Sequence, residues 1–305
     1  MYDVIIIGGG PAGSGAAVYT GRKRLKTLLI TESFGGQSIV SDDIQNWIGQ
    51  KSISGYDLAK NLEEHVRAQE TVEVKIPETV TSVKEITGGF EVFTNNGNQY
   101  QSKTLIVTAG GRRRKLNIPG EDQYNGKGVA YCSTCDAPLF MGKKVVVVGG
   151  GNAGLEAAID LLPFASEIFV SVRSEKLVAD PITQAEVLKS DKIKIIYNHV
   201  IKEIIGEKFV TGIKYDEQGI EKILNVDGVF IEIGSIPNSE MMSGLVTLNK
   251  MGEIITDHRL ATTSKPGIFA AGDVTDDPYK QNNISVGDAV IAALSVYNYL
   301  LKIEK

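Results

Sequence analysis

The sequence predicts an α/β chain of two βαβ domains of nucleotide-binding type, Rossmann-like in layout, with the second inserted into the first. Three observations point there. Two glycine-rich turns, Gly8-Gly9-Gly10-Pro11-Ala12-Gly13 and Gly149-Gly150-Gly151-Asn152-Ala153-Gly154, each follow a short β-branched run. Each turn leads into a helical stretch and then a second apolar strand, the order of a βαβ unit. The only two cysteines, Cys132 and Cys135, lie between the two turns.

In chain order, residues 4–7 read as a buried strand, 12–23 as a helix and 25–30 as a second strand. Residues 104–110 form another apolar strand with a glycine stop. Residues 144–148, 153–162 and 167–172 repeat the strand–helix–strand plan around the second turn. A late strand, 267–273, ends in Gly272-Asp273, and a long helix pattern follows near the C-terminus. Apolar strands alternating with helices imply parallel sheets covered on both faces. The polar stretches 111–115 and 119–122 read as crossings between domains. Residues 1–114 with 245–305 are therefore expected to form one domain, and 115–244 the inserted one.

Composition narrows the class. A chain of 305 residues suits about two domains. With 42% hydrophobic and 23% charged residues it can bury a sizeable core. A net charge of −5 argues against a general nucleic-acid surface. No apolar run reaches the ~18 residues of a membrane span, and the helix pattern over 286–301 is interrupted by Asp288 and Asn298. The chain enters a strand almost at once, so no signal peptide is expected. Two cysteines without such a signal fit a redox pair in the cytoplasm better than a disulfide framework.

The first turn, with Gly8, Gly10 and Gly13, can offer backbone N–H groups and a helix dipole to a pyrophosphate. Glu32, just past the second strand, sits where an acid would read a ribose. Gly272 and Asp273 could add a backbone N–H and a carboxylate, and the pairing points toward FAD. The second turn, with Gly149, Gly151 and Gly154, has an equally strong strand behind it. Its readout position offers neither an acid for a free 2′-hydroxyl nor an arginine cluster for a 2′-phosphate: Arg173 is one cation, and Glu175 comes late.

The pair Cys132-Ser133-Thr134-Cys135 is followed by Asp136. A thiolate attacks a disulfide, so one cysteine must be exposed and tuned low, and Asp136 could move the proton. Zinc would need two more ligands, and His65, His199 and His258 are scattered. No metal is expected.

Taken as a set, these motifs resemble the low-molecular-weight thioredoxin reductase family of pyridine nucleotide-disulfide oxidoreductases over essentially the whole chain. Residues 119–124, 149–160, 251–255 and 278–281 also resemble the C-terminal part of the alkyl hydroperoxide reductase flavoprotein subunit. That subunit has an N-terminal thioredoxin-like extension absent from this sequence, so a stand-alone reductase is expected. The resemblance implies FAD held by Gly8, Gly10, Gly13, Glu32, Gly35, Gly36, Gln37, Asn46, Gly272, Asp273 and Gln281. It implies Cys135 facing the flavin, Cys132 attacking a thioredoxin-type disulfide, Asp136 as the acid, and a homodimer. It further implies an inserted domain that rotates, with hinge strands at 119–120 and 233–237.

Two departures qualify the electron donor. NADPH-using relatives place a His-Arg-Arg cluster and a later arginine where this chain has Val172-Arg173-Ser174 and Val178. Hydroperoxide-reductase relatives carry an acid at the position of Val172. NAD(P)H stays the expected donor, with a degraded 2′-phosphate readout. Ferredoxin is the rival donor, and the basic run Arg112 to Lys115 is either a solvated connector or a docking patch for it. Two other readings keep the fold: an oxygen-dependent oxidase of small dithiols, and a non-catalytic redox sensor.

Overall fold

The structure, a computed structural model, describes residues 1–303 other than 42 and 218. It divides into two compact units, one formed by Met1–Arg112 with Ile236–Lys305 and the other by Arg113–Ser235.

The first unit is organised by strand Tyr2–Gly9, which pairs in parallel with Thr27–Phe34 on one side and Gln99–Val107 on the other. Val72–Lys75 extends the sheet beyond Thr27–Phe34. Ile268–Ala270 adds a further parallel strand against Gln99–Val107. Gly89–Thr94 and Val80–Ile86 continue the same sheet with antiparallel pairing. Because side chains alternate across a strand, Val4 and Ile6 enter one core layer with Leu29 and Ile106. Ile5 and Ile7 enter the opposite layer with Leu28, Leu105 and Val107. Burying such a side chain contributes roughly 1.5–3 kcal/mol, which is why the run tolerates no polar residue.

Two helices cover the first of these layers, Pro11–Arg22 and Asn282–Ile303. Their interface is built on small residues: Ala16, Ala17, Ala289, Ala292 and Ala293 are all buried. A Cβ on Gly15 would stand 3.2 Å from a methyl of Val286, so the helices meet at van der Waals distance. The C-terminal helix is long and apolar enough to cross a membrane by length and composition alone. Its apolar character is accounted for by the core face it supplies, Ala289 to Leu300.

The second unit repeats the plan. Lys144–Val148 lies between Glu167–Ser171 and Gly228–Ile231, with Ile193–Ile196 and Val129–Ala130 at the edges, all parallel. Val145 and Val147 face one core layer, with Ile168, Val170 and Phe230. Val146 and Val148 face the other, with Val229 and Ile231. Helix Asn152–Leu161 covers the first layer. The antiparallel strands His199–Gly206, Val210–Glu217 and Ile220–Leu224 form a separate small sheet behind the second.

The unit boundaries differ from the expected 114/115 and 244/245. The chain leaves the first unit after Arg112 and re-enters it at Ile236. Residues 236–244 belong to the first unit because they are tied to it. Asn238 donates from its backbone to Gly110 O (2.9 Å) and from Nδ2 to Ala109 O (2.8 Å). Met242 is fully buried in its core. Pro119 and Gly120, expected at a hinge, lie inside the second unit instead. Pro119 O accepts from the backbone N–H of Ile204, so the turn is packed on that strand.

Candidate functional site

In the first unit, two helix N-termini open on one cleft of about 590 Å³. Gly8, Gly9, Gly10, Pro11 and Ala12 form its floor, and Asn282 and Ser285 belong to the start of the second helix. The loop is tight for a physical reason. Gly8 has φ +107°, and a Cβ on Gly13 would fall 1.8 Å from Gly8 O. Strand and helix can therefore meet this closely only through glycine. The first intrahelical bond runs from Ser14 N–H to Gly10 O, which leaves the N–H groups of Ala12 and Gly13 without helical partners. Gly10 is open: a Cβ there would meet only Gly36, 3.7 Å away.

Of the residues expected at a flavin, Gly8, Gly10, Glu32, Gly36, Gln37 and Asp273 line this cleft. Asp273 is held between Ser285, whose Oγ donates to Oδ1 at 3.2 Å, and Gln37, whose Nε2 lies 3.5 Å from Oδ2. Gly13, Gly35, Asn46, Gly272 and Gln281 are outside the lining. Gly35 donates to Gly9 O and Gly272 accepts from Thr275, so both shape the walls. Asn46 and Gln281 are brought together, Nδ2 to Oε1 at 3.2 Å.

Sequence reasoning missed one wall, Glu78 to Thr81. Glu78 is buried and accepts hydrogen bonds from Thr94, Asn98 and Tyr100. Burial works against its charge, but those bonds, with Lys75, hold the carboxyl below its ordinary range. A buried acid among strand residues was the available signal.

In the second unit, Cys132 and Cys135 form a disulfide with their Cα atoms 5.4 Å apart. Cys132 caps the single helical turn Ser133–Asp136, and Asp136 N–H donates to Cys132 O. Burial raises the Asp136 carboxyl to about 6, against the pull of Arg113. Glu232, directly after strand Gly228–Ile231, is raised to about 7 by burial, against Arg113 and a hydrogen bond from the backbone of Ser133. Asp160 accepts from Ser133 Oγ at 2.8 Å. Glu232 was not singled out in the sequence, and Arg113 and Asp160 were read only within a basic run and a family-like stretch, because their approach to the cysteines depends on the sheet order.

The second glycine loop keeps its shape. A Cβ on Gly154 would stand 2.2 Å from Gly149 O, repeating the first loop's constraint. Asn152 and Asp180 exchange two hydrogen bonds, 2.8 and 2.7 Å, across it. Val172 is 2% exposed and packs beneath Gly150, while Arg173 is exposed. Val178 N–H donates to Gly150 O, placing that residue beside Gly151. Two cations of the basic run are engaged within their own units: Arg112 with Glu240 (2.7 Å) and Lys115 with Asp122 (2.6 Å). Among the described residues no group of three His, Cys, Asp or Glu could hold a metal ion.

A family model described as pyridine nucleotide-disulphide oxidoreductase matches residues 2–292. The chain is 43% identical to a protein of Bacillus subtilis (strain 168) named NADH dehydrogenase, over 99% of this chain and 59% of that protein. It is 41% identical to the F subunit of alkyl hydroperoxide reductase from Xanthomonas campestris pv. phaseoli, over 99% of this chain and 57% of that one. It thus spans a little over half the length of these curated relatives. A solved structure of thioredoxin reductase from Streptococcus pyogenes MGAS5005 matches with a TM-score of 0.92 at 37% identity, covering 99% of both chains.

Proposed function

The chain belongs to the pyridine nucleotide-disulphide oxidoreductase family, and on that premise we propose that it is an FAD-dependent disulfide reductase of thioredoxin reductase type. Electrons come from NAD(P)H and leave through Cys132 and Cys135 to the disulfide of thioredoxin or a similar small protein. The observation that carries this reading is the Cys132–Cys135 disulfide beside two carboxyls, Asp136 and Glu232, raised to about 6 and about 7. Carboxyls in that range can take and return protons at neutral pH as thiols and disulfides interconvert.

FAD fits the cleft of the first unit by the same test of space and donors. Gly10 is open on the cleft side, Ala12 and Gly13 have N–H groups without helical partners, and Glu32 and Asp273 bring carboxylates to its rim. Gly8, Gly10, Gly13, Gly35, Gly36 and Gly272 would shape the binding walls, with Glu32, Gln37, Asn46, Asp273 and Gln281 as polar partners. Bound there, the flavin supplies a two-electron carrier between the donor and the disulfide. In the second unit Cys132, as a thiolate, attacks one sulfur of the partner's disulfide. Cys135 then closes on Cys132 to release the reduced partner, and Asp136 holds the proton that the departing sulfur needs. The same reading makes the protein a homodimer working in the cytoplasm, where thiols are kept reduced.

The donor is tested by anaerobic bleaching of the flavin near 450 nm with NADPH, NADH and reduced ferredoxin in turn. Fast bleaching by a nicotinamide supports the reading. Bleaching by ferredoxin alone would reverse the donor assignment, and Val172 and Val178 at the readout positions would then account for it. Peroxide release with a small dithiol and no reductant would replace it with an oxidase.

A further inference from the structure

The three acids around the dithiol are held unequally. Asp160 is bonded to the Ser133 hydroxyl, and Thr134 Oγ1 lies 3.5 Å from the same oxygen. Asp136 closes the helical turn that begins at Cys132. Glu232 arrives from another element, the end of strand Gly228–Ile231, with its backbone N–H fixed to Val148 O at 2.9 Å. That strand pairs in parallel with Val129–Ala130, Phe230 opposite Ala130, so two residues further on Glu232 comes level with Cys132. A carboxylate on the residue level with Cys132 adds negative charge on the side where a thiolate must form, so the two charges oppose each other.

We propose that Glu232 is a second proton-holding residue of the dithiol site, taking up a proton when Cys132 becomes a thiolate and releasing it when the disulfide re-forms. This rests on the disulfide-reductase reading. In that step the S–S bond breaks, two electrons and one proton give a Cys132 thiolate and a Cys135 thiol, and a second proton goes to the Glu232 carboxylate. The reverse returns two electrons and both protons. The charged groups facing Glu232 are Arg113, which favours its anion, and Asp136 and Asp160, which disfavour it. Burial works with the two acids.

The test uses the purified protein reduced with dithiothreitol, with neither thioredoxin nor any other electron donor, so its failure is separable from failure of the reductase reading. Cys132 alkylation by iodoacetamide is followed against pH by peptide mapping. In Glu232→Gln, which keeps the size and shape of the side chain without its charge, the half-maximal pH is expected to fall by about one unit. A profile superimposed on that of the unmutated protein would overturn the proposal. Infrared difference spectra of the unmutated protein, oxidised against reduced, give a check that needs no variant. A protonated carboxyl band is expected on reduction near neutral pH, retained in Asp136→Asn and lost in Glu232→Gln. Its absence from the unmutated protein would also overturn the proposal.

Discussion

Asn46 and Gln281, 235 positions apart in sequence, meet through a 3.2 Å hydrogen bond between their side-chain amides. Asn283 Nδ2 donates to Asn46 O at 2.7 Å and Asn283 Oδ1 accepts from Ile48 N–H at 3.4 Å, so the loop carrying Asn46 is tied to the start of the C-terminal helix. That loop and that helix start stand beside the rim of the proposed flavin cleft. Gln281→Ala is expected to raise the flavin dissociation constant about fivefold, roughly 1 kcal/mol for a lost hydrogen bond. Fluorescence titration of the apoprotein with FAD measures this. An unchanged affinity would remove the pair from the site.

Two glycines of the first loop separate folding from binding. Gly13→Val would press side-chain atoms into Gly8 O and should lower the unfolding midpoint steeply. Gly10→Val has room on its cleft side, so the fold should hold while the purified protein loses its yellow colour. Equal loss of thermal stability in both variants would count against the cleft.

Cys132→Ser should abolish reduction of a thioredoxin disulfide while leaving the flavin reducible by its donor. Cys135→Ser should trap a mixed disulfide between Cys132 and the partner, visible as a covalent adduct on a non-reducing gel. Normal turnover by either variant would defeat the dithiol mechanism.

His199 gives the second unit a sensitivity to acid. It is 2% exposed, stacked on Tyr215, and burial lowers its pKa to about 4, against the pull of Glu217. Below about 6.5 the unfolded chain takes up a proton that the folded imidazole refuses. Stability should therefore fall as pH drops from about 6.5 toward about 4, by about 3 kcal/mol in all. Urea unfolding across this window should show a flatter slope in His199→Phe. The same slope in both proteins would assign the acid sensitivity elsewhere.

Much of this was legible in the residues. The glycine loops announced themselves because close strand–helix packing excludes any other side chain, as at Gly13 and Gly154. The apolar strands were legible because both faces of each sheet are covered. What failed were features set by pairing across long separations. The end of the insertion was placed too late because Asn238 and Met242 look like loop residues until Ala109 and Gly110 are beside them. Pro119-Gly120 looked like a hinge, and a turn packed on Ile204 carries the same residues. Glu232 was invisible because nothing in a strand end announces that Ser133 will face it.

The insertion leaves and re-enters its host almost at one point. Within the second unit Arg114 N–H bonds Gly234 O at 3.0 Å, and within the first Asn238 N–H bonds Gly110 O at 2.9 Å. To the host, a stretch of more than a hundred residues has the closure entropy of a short hairpin, since the ends are already joined. A length change or a graft between Arg114 and Gly234 therefore leaves the host's chain path unaltered. The second unit behaves as an exchangeable cassette, open to a different disulfide motif or nucleotide reader without redesign of the unit that carries it.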